Sequence, residues 1–159
     1  MTEPTPPTGA GHYRVEAVTR APVAVVWPLV GEARNWHRWS FLTASVLERE
    51  GSPESDGVGA IRKFTIFGVG SREEVVAWDP PGHLAYRILS GFPVRNYRSD
   101  VTLTPDGTGT RIDWSGTYDP KVPGTGGALA AVLGFMMRRF ARDLASYADG
   151  LVSGPLAEG

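Results

Sequence analysis

From Gly124 to Gly150 the chain reads GTGGALAAVLGFMMRRFARDLASYADG, one long amphipathic helix with a glycine-rich entry. Large apolar side chains recur at Leu129, Val132/Leu133, Met136, Phe140, Leu144, Tyr147 and Leu151. Steps of three and four put them on one helical face. Arg138, Arg139, Arg142, Asp143 and Asp149 fall mostly off that stripe. Nearly everything before this helix alternates apolar and polar as a β-strand does. A long helix after a run of strands covers a sheet, because neither element buries its apolar face alone. A helix laid across a curved sheet leaves a hollow between them, and such hollows hold small molecules.

Upstream of the helix, residues 12–19 predict a first strand with Tyr13, Val15 and Ala17 on one face. Pro22 suits the first turn of a helix, and Val23 to Val30 predicts a short apolar one that Pro28 interrupts. The string EARNWHRW at 32–39 predicts a second short helix or turn. Strands follow at 43–50, 58–67, 71–78, 84–89, 94–104 and 110–118. They are separated by GSPESDG, Gly68-Val69-Gly70, Asp79-Pro80-Pro81-Gly82, Ser90-Gly91-Phe92-Pro93 and Pro105-Asp106-Gly107. Connections this short favour an antiparallel meander. The expected fold is α+β: a curved antiparallel sheet of about seven strands wrapped on the C-terminal helix, with two short helices after strand 1. Residues 12–152 form the domain, 1–11 a disordered Pro/Thr/Gly-rich leader, and 153–159 a flexible tail.

The chain has 159 residues, enough for one domain with a real core. It has no cysteine, so neither disulfides nor thiolate chemistry enter. Sixteen Lys and Arg against 17 Asp and Glu give a net charge of -1, which argues against nucleic acid as the main partner. The start lacks the basic and apolar regions of a secretory signal. The longest apolar run, Ala128 to Met137, is too short to span a bilayer. The expectation is a cytoplasmic protein, monomer or homodimer, without stable membrane insertion. Three scattered histidines with no HxH or HExxH spacing give no metal site. GTGG at 124–127 lacks the phosphate-loop pattern, so no cofactor is expected, and its glycines suit a hinged lid instead.

Several strings resemble the START-like, helix-grip superfamily, in particular its bacterial polyketide cyclase/dehydrase and lipid-transport members. They are APVAVVWPLV followed five residues later by WHRWS, GVGAIRKF, EEVVAWDPPGHLAYRI and GTGTRIDWSGTYDP. The resemblance runs over roughly residues 12–152. It implies a sheet–helix cavity for a hydrophobic ligand. The same fold serves enzymes, carriers and receptors, so the reaction rests on the side chains that line the cavity.

Strand alternation assigns those side chains. Trp114 and Tyr118 face in from the last strand, with Ile112 and Gly116. Tyr97, Ser99, Val101 and Leu103 face in from the strand before it, and Leu84, Tyr86 and Ile88 from the one before that. Ala60, Arg62, Phe64 and Ile66 share an apolar face, as do Arg72, Glu74, Val76 and Trp78. Arg62 and Glu74 are then expected to project from neighbouring strands into an apolar interior. A charge buried alone costs several kcal/mol, so the two pair with each other or meet a polar ligand group. Arg62 would hold a carbonyl by a forked pair of hydrogen bonds. Glu74 would move a proton. His37 is either a further base or gate, or an exposed residue between the anchoring Trp36 and Trp39. Trp36, Phe64, Val76, Trp78, Tyr86, Tyr97, Trp114 and Tyr118, with Leu133, Met136 and Phe140 of the helix, are the expected ligand contacts. The small residues Ala128, Ala130, Ala131 and Gly134 place the expected void near the start of the helix. Two functions remain open. One is cyclisation or dehydration of a polyketide-like substrate by acid–base chemistry. The other is a carrier or sensor of lipid-like ligands without turnover.

Overall fold

The computed structural model describes residues 11–153, and the expected leader and tail lie outside them except at Gly11 and Ser153. Strand β1, Gly11–Thr19, leads to helix α1, Val23–Gly31, a single 3₁₀ turn at Ala33–Asn35, and helix α2, Trp36–Trp39. Six strands follow: β2 Ala44–Arg49, β3 Ile61–Ile66, β4 Val69–Asp79, β5 His83–Ser90, β6 Val94–Asp106 and β7 Gly109–Pro120. The long helix α3 spans Gly126–Val152. The strands form one seven-stranded antiparallel sheet in the order β1-β7-β6-β5-β4-β3-β2. The first strand thus closes against the last, and a meander runs outward to β2. This is the expected α+β helix-grip fold. No helix among the described residues is long and apolar enough to cross a membrane.

Pro28 has no N–H to give, and α1 ends one turn after it, where the Pro28 carbonyl accepts from the backbone N–H of Glu32. The last carbonyls of a helix need outside donors. Here the indole N–H of Trp39 donates to Leu29 O at 2.8 Å and that of Trp36 donates to Val30 O at 2.9 Å. The two tryptophans therefore tie α2 to the end of α1, and their rings point into the core.

Helix α3 lies over β1 and β7. Leu129, Leu133, Met137, Phe140 and Leu144 are buried along it, whereas Val132, Phe135 and Leu151 are exposed. Ala128, Ala130 and Ala131 are exposed; Ala130 and Gly126 border a small open hollow with Tyr118 and Pro120, and the main cavity between helix and sheet lies further along α3. The spacing of the three alanines places them off the face that Leu129 and Leu133 define.

The β3–β4 turn corrects an expectation. Ile66 pairs with Val69, so the turn has two residues, Phe67 and Gly68, both at positive φ (47° and 85°). A two-residue hairpin loop with both φ positive matches the twist of the strands it joins. It pairs even positions of β3 with odd ones of β4: Arg62 faces Glu73, not Glu74. Glu74 lies on the outer face, bonded to Arg49 at 3.1 Å and Arg87 at 2.7 Å. A one-residue shift reverses every facing assignment, so Val75 is buried and Val76 is not. Val75 then pairs with Tyr86 and Ala77 with Ala85, which makes Val76 the extra residue of a bulge. Beyond the bulge Trp78 pairs with Leu84 and regains the inner side, packed on Trp27 at 5.0 Å between ring centroids.

Candidate functional site

Since α3 rests on β1 and β7, the β3–β5 part of the sheet faces it across a gap. The gap is a cavity of about 370 Å³, within the usual range for small-molecule sites. Leu133, Met136, Met137 and Phe140 line its helix side, and Phe64, Ile66, Tyr86, Ile88 and Tyr97 its sheet side. Trp36 and Leu42 close the bottom. The mouth runs past Val69, Gly70 and Ser71 of the β3–β4 hairpin and Gly91 and Phe92 between β5 and β6. Among the described residues, Glu73 is the one charged residue in this wall.

Glu73 is buried, and its Oε1 accepts a 2.7 Å hydrogen bond from Arg62 Nη2. Burial pushes the Glu73 carboxyl above its ordinary value, and the Arg62 charge and hydrogen bond pull it partly back. Arg62 is 0% exposed and does not reach the cavity wall. Its guanidinium carbon sits 4.9 Å from the Trp36 ring centre, 5.2 Å from Phe64 and 4.8 Å from Tyr86. Its Nε and Nη1 have no hydrogen-bond partner. Three aromatic faces supply the cation with electrostatic attraction instead. Arg62 is thus a sealed anchor for Glu73, not the forked clamp on a ligand carbonyl that the sequence suggested.

A second cluster backs the cavity. The Tyr13 hydroxyl donates to Ser99 Oγ at 2.7 Å and also meets the Tyr97 hydroxyl. The Trp114 indole N–H is shared between Ser99 Oγ at 3.0 Å and the Tyr86 hydroxyl at 3.1 Å. Tyr86, Ser99, Gly116 and Tyr13 are paired in one row across β5, β6, β7 and β1. Gly116 is needed in that row, because a Cβ there would stand 2.4 Å from Tyr13 Cζ. Burial raises the titration of Tyr13, Tyr86 and Tyr97, and the Glu73 charge adds to each. All three stay hydroxyls through the neutral range.

Of the expected site residues, Trp36, Phe64, Tyr86, Tyr97, Leu133, Met136 and Phe140 meet at this cavity. Trp114 lies behind it in the hydrogen-bonded cluster, and Tyr118 lines a separate small hollow with Gly11, His12 and Pro120. Val76 and Trp78 are away from the wall, the latter donating to Glu54 at 2.7 Å. His37 is exposed outside it, with Nδ1 2.8 Å from Ser45 Oγ. Sequence reasoning missed Glu73, and the clue lay in Gly68: a glycine directly after Phe67 fits a two-residue turn as well as a three-residue one.

The family described as "Polyketide cyclase / dehydrase and lipid transport" matches residues 10–149. No curated protein matches the chain. Solved structures do. A START superfamily protein from Mycobacterium smegmatis has a TM-score of 0.74 at 11% identity, covering 88% of this chain and 98% of its own. The protein XoxI from Bacillus cereus has a TM-score of 0.73 at 19% identity, covering 90% and 99%. A protein from Thermobifida fusca has a TM-score of 0.71 at 29% identity, covering 89% and 95%.

Proposed function

The chain belongs to the polyketide cyclase / dehydrase and lipid transport family, and from that premise we propose that it binds a hydrophobic small molecule in the cavity between α3 and strands β3 to β6. The observation that carries this reading is the wall itself: apolar nearly throughout, with a single carboxylate at Glu73. Water held there would find few partners, so an apolar occupant is favoured over solvent. Native mass spectrometry of the protein as purified from cells, followed by extraction of anything bound, tests it. A retained hydrophobic molecule, or saturable enhancement of a fluorescent apolar probe, is the expected result. Met136→Trp, which fills the cavity from its rim, should weaken the probe about tenfold or more. An empty protein that enhances no probe would sink the reading.

One observation favours turnover as a second reading. Glu73 is a buried carboxylate with a raised pKa at the cavity wall, the condition in which a carboxyl serves as acid or base near neutral pH. On a poly-β-ketone, Glu73 would take a proton from the carbon between two carbonyls. That carbon would attack a third carbonyl of the same chain, whose oxygen would take the proton back. Loss of a second proton from the same carbon to Glu73 would then expel the new hydroxyl, which leaves as water with the proton returned from Glu73. Glu73→Gln keeps an oxygen for Arg62 but not the charge, so it should lose stability; below its unfolding midpoint it should bind a poly-β-ketone within about threefold of wild type and lose its cyclisation. Undiminished cyclisation by the variant would remove Glu73 from the chemistry; binding without any turnover by the wild type leaves the carrier reading.

A further inference from the structure

The hydrogen bonds behind the cavity fix which way each hydroxyl proton points. A hydroxyl has one proton and two lone pairs. Ser99 spends its proton on the Ser115 carbonyl at 3.1 Å and accepts from both Tyr13 and Trp114. Its oxygen is therefore full. Tyr13 spends its proton on Ser99, so in the Tyr13–Tyr97 pair it is Tyr97 that donates. Tyr97 lines the cavity with its proton turned away, and it offers lone pairs only. Tyr86 accepts the Trp114 N–H, which leaves its own proton to give. Its other neighbours in the cluster are Ser99, already full, and Tyr13, whose oxygen accepts from Tyr97 and keeps one lone pair within reach of the Tyr86 proton. A ligand oxygen in the cavity competes for that proton with the Tyr13 lone pair, a weak acceptor because a phenol oxygen is partly delocalised into its ring. Glu73, held by Arg62 through one oxygen, adds a further acceptor at the same wall.

We propose that the occupant is an apolar molecule bearing a neutral hydroxyl, aliphatic or phenolic, selected by Tyr86 as donor and by Tyr97 and Glu73 as acceptors. This rests on the reading of the cavity as a ligand site and specifies its chemistry. A hydroxyl both accepts from Tyr86 and donates to Tyr97 or Glu73. A ketone uses Tyr86 alone. A hydrocarbon leaves all three polar groups dry, and a carboxylate meets Glu73 as a like charge. Sites built to hydrogen-bond a ligand hydroxyl discriminate strongly against the analogue lacking it, because their own polar groups are left unpaired. The row through Gly116 serves this selection: it lets Tyr13 reach across β7 and hold the Tyr97 proton away from the ligand.

The test is displacement of a bound fluorescent apolar probe by four molecules of similar shape: β-naphthol, β-methylnaphthalene, β-acetonaphthone and β-naphthoate. Wild type should take β-naphthol at about tenfold lower concentration than β-methylnaphthalene, with the naphthoate weakest. In Tyr86→Phe that advantage should fall below about threefold while β-methylnaphthalene binds as before, which also shows that the variant is folded. Tyr13→Phe should release the Tyr97 proton toward the cavity and raise β-acetonaphthone relative to β-naphthol. Equal displacement by β-naphthol and β-methylnaphthalene, or preference for the naphthoate, overturns the proposal while leaving the cavity a ligand site. Failure of the probe to bind at all would strike the underlying reading instead.

Discussion

Arg62 and Glu73 form a buried pair whose two halves depend on each other. Removing one member of such a pair leaves the other charge without compensation in the interior. Arg62→Ala should cost about 3–5 kcal/mol in urea unfolding, whereas Arg62→Met combined with Glu73→Leu should recover most of that loss. If the double variant is as unstable as the single one, the cost belongs to lost packing around Trp36, Phe64 and Tyr86 and not to the orphaned charge. Gly116→Ala should cost about 1–3 kcal/mol by driving the Tyr13 ring out of its place, read as a fall in the unfolding midpoint. Arg62 was legible in the sequence as an arginine among apolar strand positions. Its partner was not, because the choice between Glu73 and Glu74 rests on a turn of two residues or three, and alternation along β4 reads equally well either way.

Among the elements, the C-terminal end of α3 is fastened to the end of β1 through Asp149, and Arg20 Nη2 adds a bond to Ser153 Oγ just past the helix at 2.6 Å. Asp149 Oδ1 accepts from Thr19 Oγ1 and from the Arg20 backbone N–H, both at 2.7 Å. Those two bonds hold the Asp149 carboxyl below its ordinary value. A carboxyl lowered in the folded state stabilises above its unfolded pKa, and the gain disappears as pH falls through the folded one. Asp149→Asn should therefore cost about 1 kcal/mol near neutral pH, and the gap from wild type should close as the pH is taken below the usual aspartate range. Thermal unfolding of both proteins across that range measures it; a gap that persists in acid would mean that geometry, not charge, makes the clamp. The order of elements was readable from periodicity and turn residues. The phase of α3 was readable to within about a residue: Leu129, Leu133, Phe140 and Leu144 are inside as expected, but Val132 and Leu151 are out and Met137 takes the deeper place.

The whole molecule has a packed end and a hollow one. Where α3 rests on β1 and β7, and where Trp27 meets Trp78, buried side chains such as Val15, Ile112 and Leu144 pack together, with an open polar groove on the outer side between β1 and Arg138, Arg139 and Arg142 of the helix. Where β3, β4 and β5 face the helix, the interior is not filled. Hydrogen exchange should follow this division, slowest in the doubly paired β6 and β7 and fast at the β3–β4 hairpin tip. A hydrophobic ligand should slow the amides of Gly70, Ser71 and Gly91, which border the mouth; protection confined to the far end of the sheet would place the ligand elsewhere. The grip of sheet on helix was expected from the sequence. The position of the hollow was not, because it depends on which strands the helix rests against, and no single element's pattern records that.

At the tip of the hairpin, Phe67 and Val69 stand 88% and 73% exposed, beside an opening that leads to apolar walls. This has a consequence for traffic. An apolar molecule arriving from water sheds part of its hydration on the rim before it enters, so one high barrier becomes two lower steps. If the cavity binds as proposed, the rim would raise the local concentration of such molecules at the threshold and hasten arrival, while residence time would be set deeper, at Tyr86, Tyr97 and Glu73. Entry and retention would then rest on different residues, and either rate would be open to change without the other.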